Sequence, residues 1–144
     1  MYKGRILFVD DEPLILQSIK CLLRRESYTQ DYILNPREAL AYIDQFPPEV
    51  IISDFRMPDL NGLEFFAEVK KKMPQTTRIV LTGYADMELL QPAVTAGTIH
   101  RFLFKPVSPT AFRHILNREL DVQLQSKMTE GGVSRVSLDQ HALG

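Results

Sequence analysis

Four runs of strand length in this chain are apolar without alternation: RILFV at 5–9, EVIIS at 49–53, RIVLT at 78–82 and RFLF at 101–104. A strand with one wet face alternates polar and apolar residues. A run that does not alternate is buried on both faces, as in a parallel sheet covered by helices on either side. A fifth run, TQDYIL at 29–34, mixes polarity and suits a sheet edge.

The segments between the runs have helical length and carry helix punctuation. Pro13 opens the first, with Leu14, Ile15, Ile19, Leu22 and Leu23 as its apolar stripe. Asn35-Pro36 pairs a cap with a proline at the first helical position, and Pro47-Pro48 ends the second helix. Asn61-Gly62 leads into LEFFAEVKKKM, stopped by Pro74, with lysines in the last turn where the helix dipole favours them. DMELLQPAVTAG reads as a shorter helix with an internal Pro92, ending at Gly97. The last helix starts at Ser108-Pro109 and presents Phe112, Ile115, Leu116, Leu120 and Leu124 on one face. Strand and helix thus alternate five times, which predicts an α/β fold with a doubly wound five-stranded parallel sheet. With the polar second strand at the edge, the expected order is 2-1-3-4-5.

Composition narrows the function classes. A chain of 144 residues, 44% hydrophobic and 24% charged, suits one domain with a sizeable core. Its net charge of −1 gives no global attraction to nucleic acid or to an anionic membrane, so neither is expected as a direct partner. The single Cys21 excludes an intrachain disulfide, no apolar stretch reaches the roughly 20 residues of a membrane span, and MYKGRILFVDDEP does not read as a signal peptide. A cytoplasmic location is the expectation.

In an open α/β sheet, ligands bind beyond the carboxyl ends of the strands where the strand order reverses. There the first strand ends in Asp10-Asp11, the third in Asp54, the fourth in Thr82 and the fifth in Lys105-Pro106. Each residue alone has an ordinary reading as turn former, strand end or loop lysine. Together at one rim they form an acidic cluster that a hard cation or bound protons must neutralise, and Mg²⁺, with Mn²⁺ as an alternative, takes oxygen ligands and bridges phosphate. Lys105 adds a positive charge for an anion, and Thr82 a hydroxyl.

The surrounding residues, VDDEP, SDFRMPDLNG, LTGYAD and FLFKPV, resemble the receiver domains of two-component response regulators over about residues 4 to 125. The resemblance implies a flavodoxin-like three-layer sandwich and a phosphoacceptor role for Asp54. It implies that Asp10, Asp11, Asp54 and the backbone carbonyl of Arg56 hold the metal, that Thr82 and Lys105 contact the phosphoryl oxygens, and that the Lys105-Pro106 bond is cis. The donor would be the phosphohistidine of a sensor histidine kinase or phosphotransfer protein, or a small acyl phosphate. The chain would then be a switch rather than a turnover enzyme. Thr82 and Phe102 would relay the change to the face of the fourth helix, fifth strand and fifth helix, which also serves for homodimers. Phe102 has no hydroxyl, so an inward state would rest on packing, and a plain core aromatic is the other reading. Arg56 and Tyr84, two residues after Asp54 and Thr82, would slow dephosphorylation if folded over the site; otherwise they face solvent.

Three alternatives stand beside this reading. A receiver could act through contacts without phosphate. A haloacid-dehalogenase-like phosphatase also uses a strand-end aspartate with Mg²⁺, but with its acids spaced Asp-x-Asp on the first strand. A flavodoxin-like cofactor binder would need a phosphate-cradling loop after the first strand, where this chain has acids. Residues 1–125 are expected to form the receiver domain, and 126–144, SKMTEGGVSRVSLDQHALG, a polar tail or linker.

Overall fold

The computed structural model describes residues 1–133; residues 134–144, and the side chains of Tyr84 and of residues 130–133, lie outside the described set. Five strands, β1 (Arg5–Val9), β2 (Thr29–Ile33), β3 (Val50–Asp54), β4 (Thr77–Thr82) and β5 (Arg101–Phe104), alternate with α1 (Pro13–Leu22), α2 (Pro36–Gln45), α3 (Gly62–Lys72), α4 (Met87–Thr95) and α5 (Pro109–Val133). All strand pairs are parallel, and the order is β2-β1-β3-β4-β5. The mixed-polarity strand is indeed at the edge.

Strand periodicity divides the core into two layers. Leu7, Val9, Ile51 and Val80 face α2, α3 and α4, where Ala39, Ile43, Phe65, Phe66, Val69 and Leu90 pack. Their neighbours Ile6, Phe8, Ile52, Ile79 and Leu81 face α1 and α5, meeting Leu16, Leu23, Phe112, Leu116 and Leu120. Each central strand is therefore apolar on both faces, which is why its sequence does not alternate.

The expected cap forms at α2, and α3 carries one that the sequence reading did not name. Asn35 accepts hydrogen bonds from the backbone N–H groups of Arg37 and Glu38, and Asn61 and Glu64 make a reciprocal capping box. One detail corrects the sequence reading. Leu14 is 74% exposed, and Leu16 takes its place in the core, because Leu16 shares a helix face with Ile19 and Leu23 and Leu14 lies two residues off it. The last helix, which the sequence carries through Met128, runs to Val133, with Gln123 donating to the Gln75 carbonyl at 2.6 Å and Lys127 paired with Glu49. No helix among the described residues is long and apolar enough to cross a membrane.

Candidate functional site

The carboxyl ends of β1, β3, β4 and β5 converge as the topology requires. Asp54 is the last residue of β3, and the chain then turns so that the Phe55 N–H reaches the Leu81 carbonyl at 3.1 Å. At the end of β4, the Thr82 carbonyl accepts from the Lys105 N–H at 2.8 Å. Thr82 therefore lies between the strand that delivers the acid and the loop that delivers the lysine. The Lys105-Pro106 bond is cis, as the resemblance implied.

The loop after β3 is pinned down by a missing side chain. A Cβ at Gly62 would lie 2.8 Å from the Asp54 carbonyl oxygen and 3.0 Å from the Phe55 Cα, so only glycine lets α3 start this close to the strand end. The sequence marked Asn61-Gly62 only as the lead into α3. What the site uses is space, and the left-handed backbone of this loop falls instead on Asp59, at φ 77°.

Asp10, Asp11 and Asp54 each bring a carboxylate oxygen within 4.8 Å of the others. Lys105 Nζ is 2.6 Å from Asp54 Oδ1 and 3.7 Å from Asp10 Oδ2. Asp10 is buried, and its Oδ1 accepts the Glu12 N–H at 2.9 Å, but Oδ2 is buried without a hydrogen-bond partner. Burial is the largest influence on this carboxyl; against the Glu12 hydrogen bond and Lys105, it and the charges of Asp54 and Asp11 push it up to about 6. Burial works against the Lys105 ammonium, yet its hydrogen bond to Asp54 and the nearby acids outweigh this and raise it. An orphaned buried oxygen among three carboxylates, with a single cation to balance them, is the donor set a hard divalent ion fits. Glu12 stands outside the cluster, exposed at the N-cap of α1.

Thr82 does not turn toward Asp54. Its hydroxyl, 1% exposed with the rest of the residue, donates to Asp86 Oδ2 at 2.8 Å, with the Gly83 carbonyl at 3.1 Å. Arg56 takes the solvent-facing course of the two that the sequence left open: its side chain is 72% exposed, passes over the Phe55 ring at 5.6 Å and ends on Asp86 Oδ1. Tyr84 begins the short 3-10 turn Tyr84–Asp86, its side chain outside the described residues. Gly83 has open space around it. Phe102 is partly buried against the α4-side core and meets the edge of Phe104 at 5.6 Å, so it is neither a fully buried aromatic nor a free one. Asp86 is the residue that sequence reasoning missed. An acid just before an apolar helix reads as a cap, and only the tertiary contacts show it engaged elsewhere.

Comparison with known proteins agrees with this geometry. The profile of the response regulator receiver domain matches residues 6–117. The hydrogenase transcriptional regulatory protein HoxA of Cupriavidus necator is 32% identical over 127 residues, 88% of this chain, which spans only 26% of HoxA. Among solved structures, a CheY-like response regulator receiver domain protein from Methanospirillum hungatei superposes with a TM-score of 0.78 at 32% identity, covering 88% of this chain and 99% of that one. The signal receiver domain of an HD domain-containing protein from Pseudomonas fluorescens gives 0.81 at 30% identity, covering 89% and 94%.

Proposed function

The chain belongs to the response regulator receiver domains of two-component systems, and from that premise we propose that it is a phosphorylation switch whose acceptor is Asp54. The observation that carries this reading is the buried acidic cluster at the strand ends, matched by the single ammonium of Lys105 on Asp54. An Asp54 oxygen attacks the phosphorus of a phosphohistidine. A P–O bond forms, the P–N bond breaks with its electron pair going to nitrogen, and the ring, carrying a proton on its other nitrogen, leaves as neutral imidazole; with a small acyl phosphate, the carboxylate leaves instead.

Lys105 holds the Asp54 carboxylate before transfer and balances the equatorial oxygens during it. Asp10, Asp11, Asp54 and the Arg56 carbonyl would hold Mg²⁺, or Mn²⁺, which when bound neutralises charge on the transferring group. Thr82 would then donate to a phosphoryl oxygen, and Phe102 would carry the change to the α4–β5–α5 face, where partners or a second copy dock. The apolar groove lined by Ile15, Ile19, Leu22, Pro106 and Val107 borders Lys105 and offers a seat for the kinase or phosphotransfer protein. The chain would label once per acceptor rather than turn over substrate, and it would act in the cytoplasm. Arg56, held by Asp86 in this state, would slow dephosphorylation only by swinging over the site.

Intact-mass spectrometry after incubation with acetyl phosphate and Mg²⁺ tests this. One phosphoryl group should appear on the wild-type protein and none on Asp54→Asn. Absence of label on the wild type would favour a receiver that signals by contact alone, and sustained hydrolysis of a generic phosphomonoester would favour a phosphatase.

A further inference from the structure

Asp86 occupies the N-cap position of α4 and makes no side-chain capping hydrogen bond. The cap residues of α2 and α3, Asn35 and Asn61, are extended and both cap their helices; Asp86, at φ −95° and ψ 5°, is not extended. Its carboxylate is instead fully used on the other side. Oδ2 accepts the Thr82 hydroxyl at 2.8 Å, Oδ1 meets the Arg56 guanidinium, and the residue is 4% exposed. A buried carboxylate with a charge-assisted bond on each oxygen holds its donors firmly. The first turn of α4 is left without the side-chain acceptor its sequence supplies.

Resting on the phosphoacceptor reading, we propose that Asp86 is a positioning residue with two alternative duties. In the unphosphorylated protein it keeps the Thr82 hydroxyl away from Asp54, with Arg56 neutralising its charge. A phosphoryl group on Asp54 offers Thr82 a competing acceptor of higher charge. Once Thr82 leaves, Asp86 turns to the N–H groups of Glu88 and Leu89 and caps α4. The exchange links the chemistry at Asp54 to the helix that borders the output face, through one residue that touches neither substrate nor metal.

Two substitutions separate the duties. Asp86→Asn removes the charge that holds Thr82 and Arg56 but keeps a side chain able to cap; Asp86→Ala removes both. With acetyl phosphate and Mg²⁺, both variants should label at Asp54 faster than wild type by about three- to tenfold, the scale of one weakened charge-assisted hydrogen bond. In a Thr82→Ala background that acceleration should vanish, which a merely structural role for Asp86 would not produce. Hydrogen exchange should show new protection at Glu88 and Leu89 on phosphorylation in wild type and Asp86→Asn, and none in Asp86→Ala. Folded variants that label at the wild-type rate or slower, beside a wild type that labels normally, would overturn this inference alone. A wild type that takes no label would overturn the phosphoacceptor reading and this inference with it.

Discussion

The two rims of the sheet handle buried charge in opposite ways. At the amino end, Arg78 is 3% exposed and donates to the carbonyls of Pro74, Thr76, Gly97 and Thr98 at 2.8 to 3.1 Å, with no carboxylate paired to it among the described residues. Glu49, equally buried, accepts from the Tyr2 hydroxyl, the Arg5 N–H and Lys127. Both of these buried charges are answered by the chain itself; the polar atom left over at this rim is the neutral hydroxyl of Tyr28. At the carboxyl end three carboxylates cluster, Lys105 pairs with two of them, Asp10 and Asp54, and an oxygen of Asp10 has no hydrogen-bond partner. Buried charge alone does not mark function. Buried charge that the chain leaves unanswered does.

The contrast can be broken most forcefully at Arg78. Arg78→Met strips four carbonyls of their donor, and the stability measured by urea unfolding should fall by about 3–5 kcal/mol. A loss below about 1 kcal/mol would mean that the amino rim is no better satisfied than the other. The opposite sign is expected at Asp10. Its folded-state carboxyl is raised to about 6, so its favourable contribution is fully present below the ordinary carboxylate range and is lost as pH rises through 6. Asp10→Asn should therefore stabilise the metal-free protein at pH 8 by about 2–3 kcal/mol, with the gain shrinking as pH falls through 6. Thermal melts at pH 5 and pH 8 check this, and added Mg²⁺ should raise the wild-type melting temperature more than that of the variant. The smallest effect belongs to Lys127→Ala. The lysine side chain is 56% exposed and Glu49 keeps two other donors, so global stability should drop by less than about 1 kcal/mol. Amide exchange in the last described turns of α5 should speed up nonetheless.

Which features were legible in the sequence follows from the range of the forces involved. Strand positions, helix starts at Pro13, Asn35 and Asn61, and the edge placement of TQDYIL depend on neighbours a few residues away, and the structure reproduces them within about a residue. The convergence of Asp10, Asp11, Asp54 and Lys105 was legible because parallel topology sends equivalent strand ends to one rim. Glu49 and Arg78 looked like flanking polar residues of two strands. Their bonds cross 44 to 78 and 2 to 20 positions, respectively, and only the folded chain brings those groups together. Asp86 was hidden by a local signal that was correct for its position and silent about its partners. The last helix was legible through Met128, and only its continuation into the polar, glycine-containing stretch up to Val133 gave no periodic signal.

Gly62 shows how a site can be guarded by a residue that takes no part in its chemistry. In a library that randomised the chain, a screen for Asp54 labelling should tolerate few replacements there, alanine included, because even one methyl group would push α3 off the Asp54 carbonyl. Position 62 would then score with the reacting residues, although what it contributes is the room it leaves.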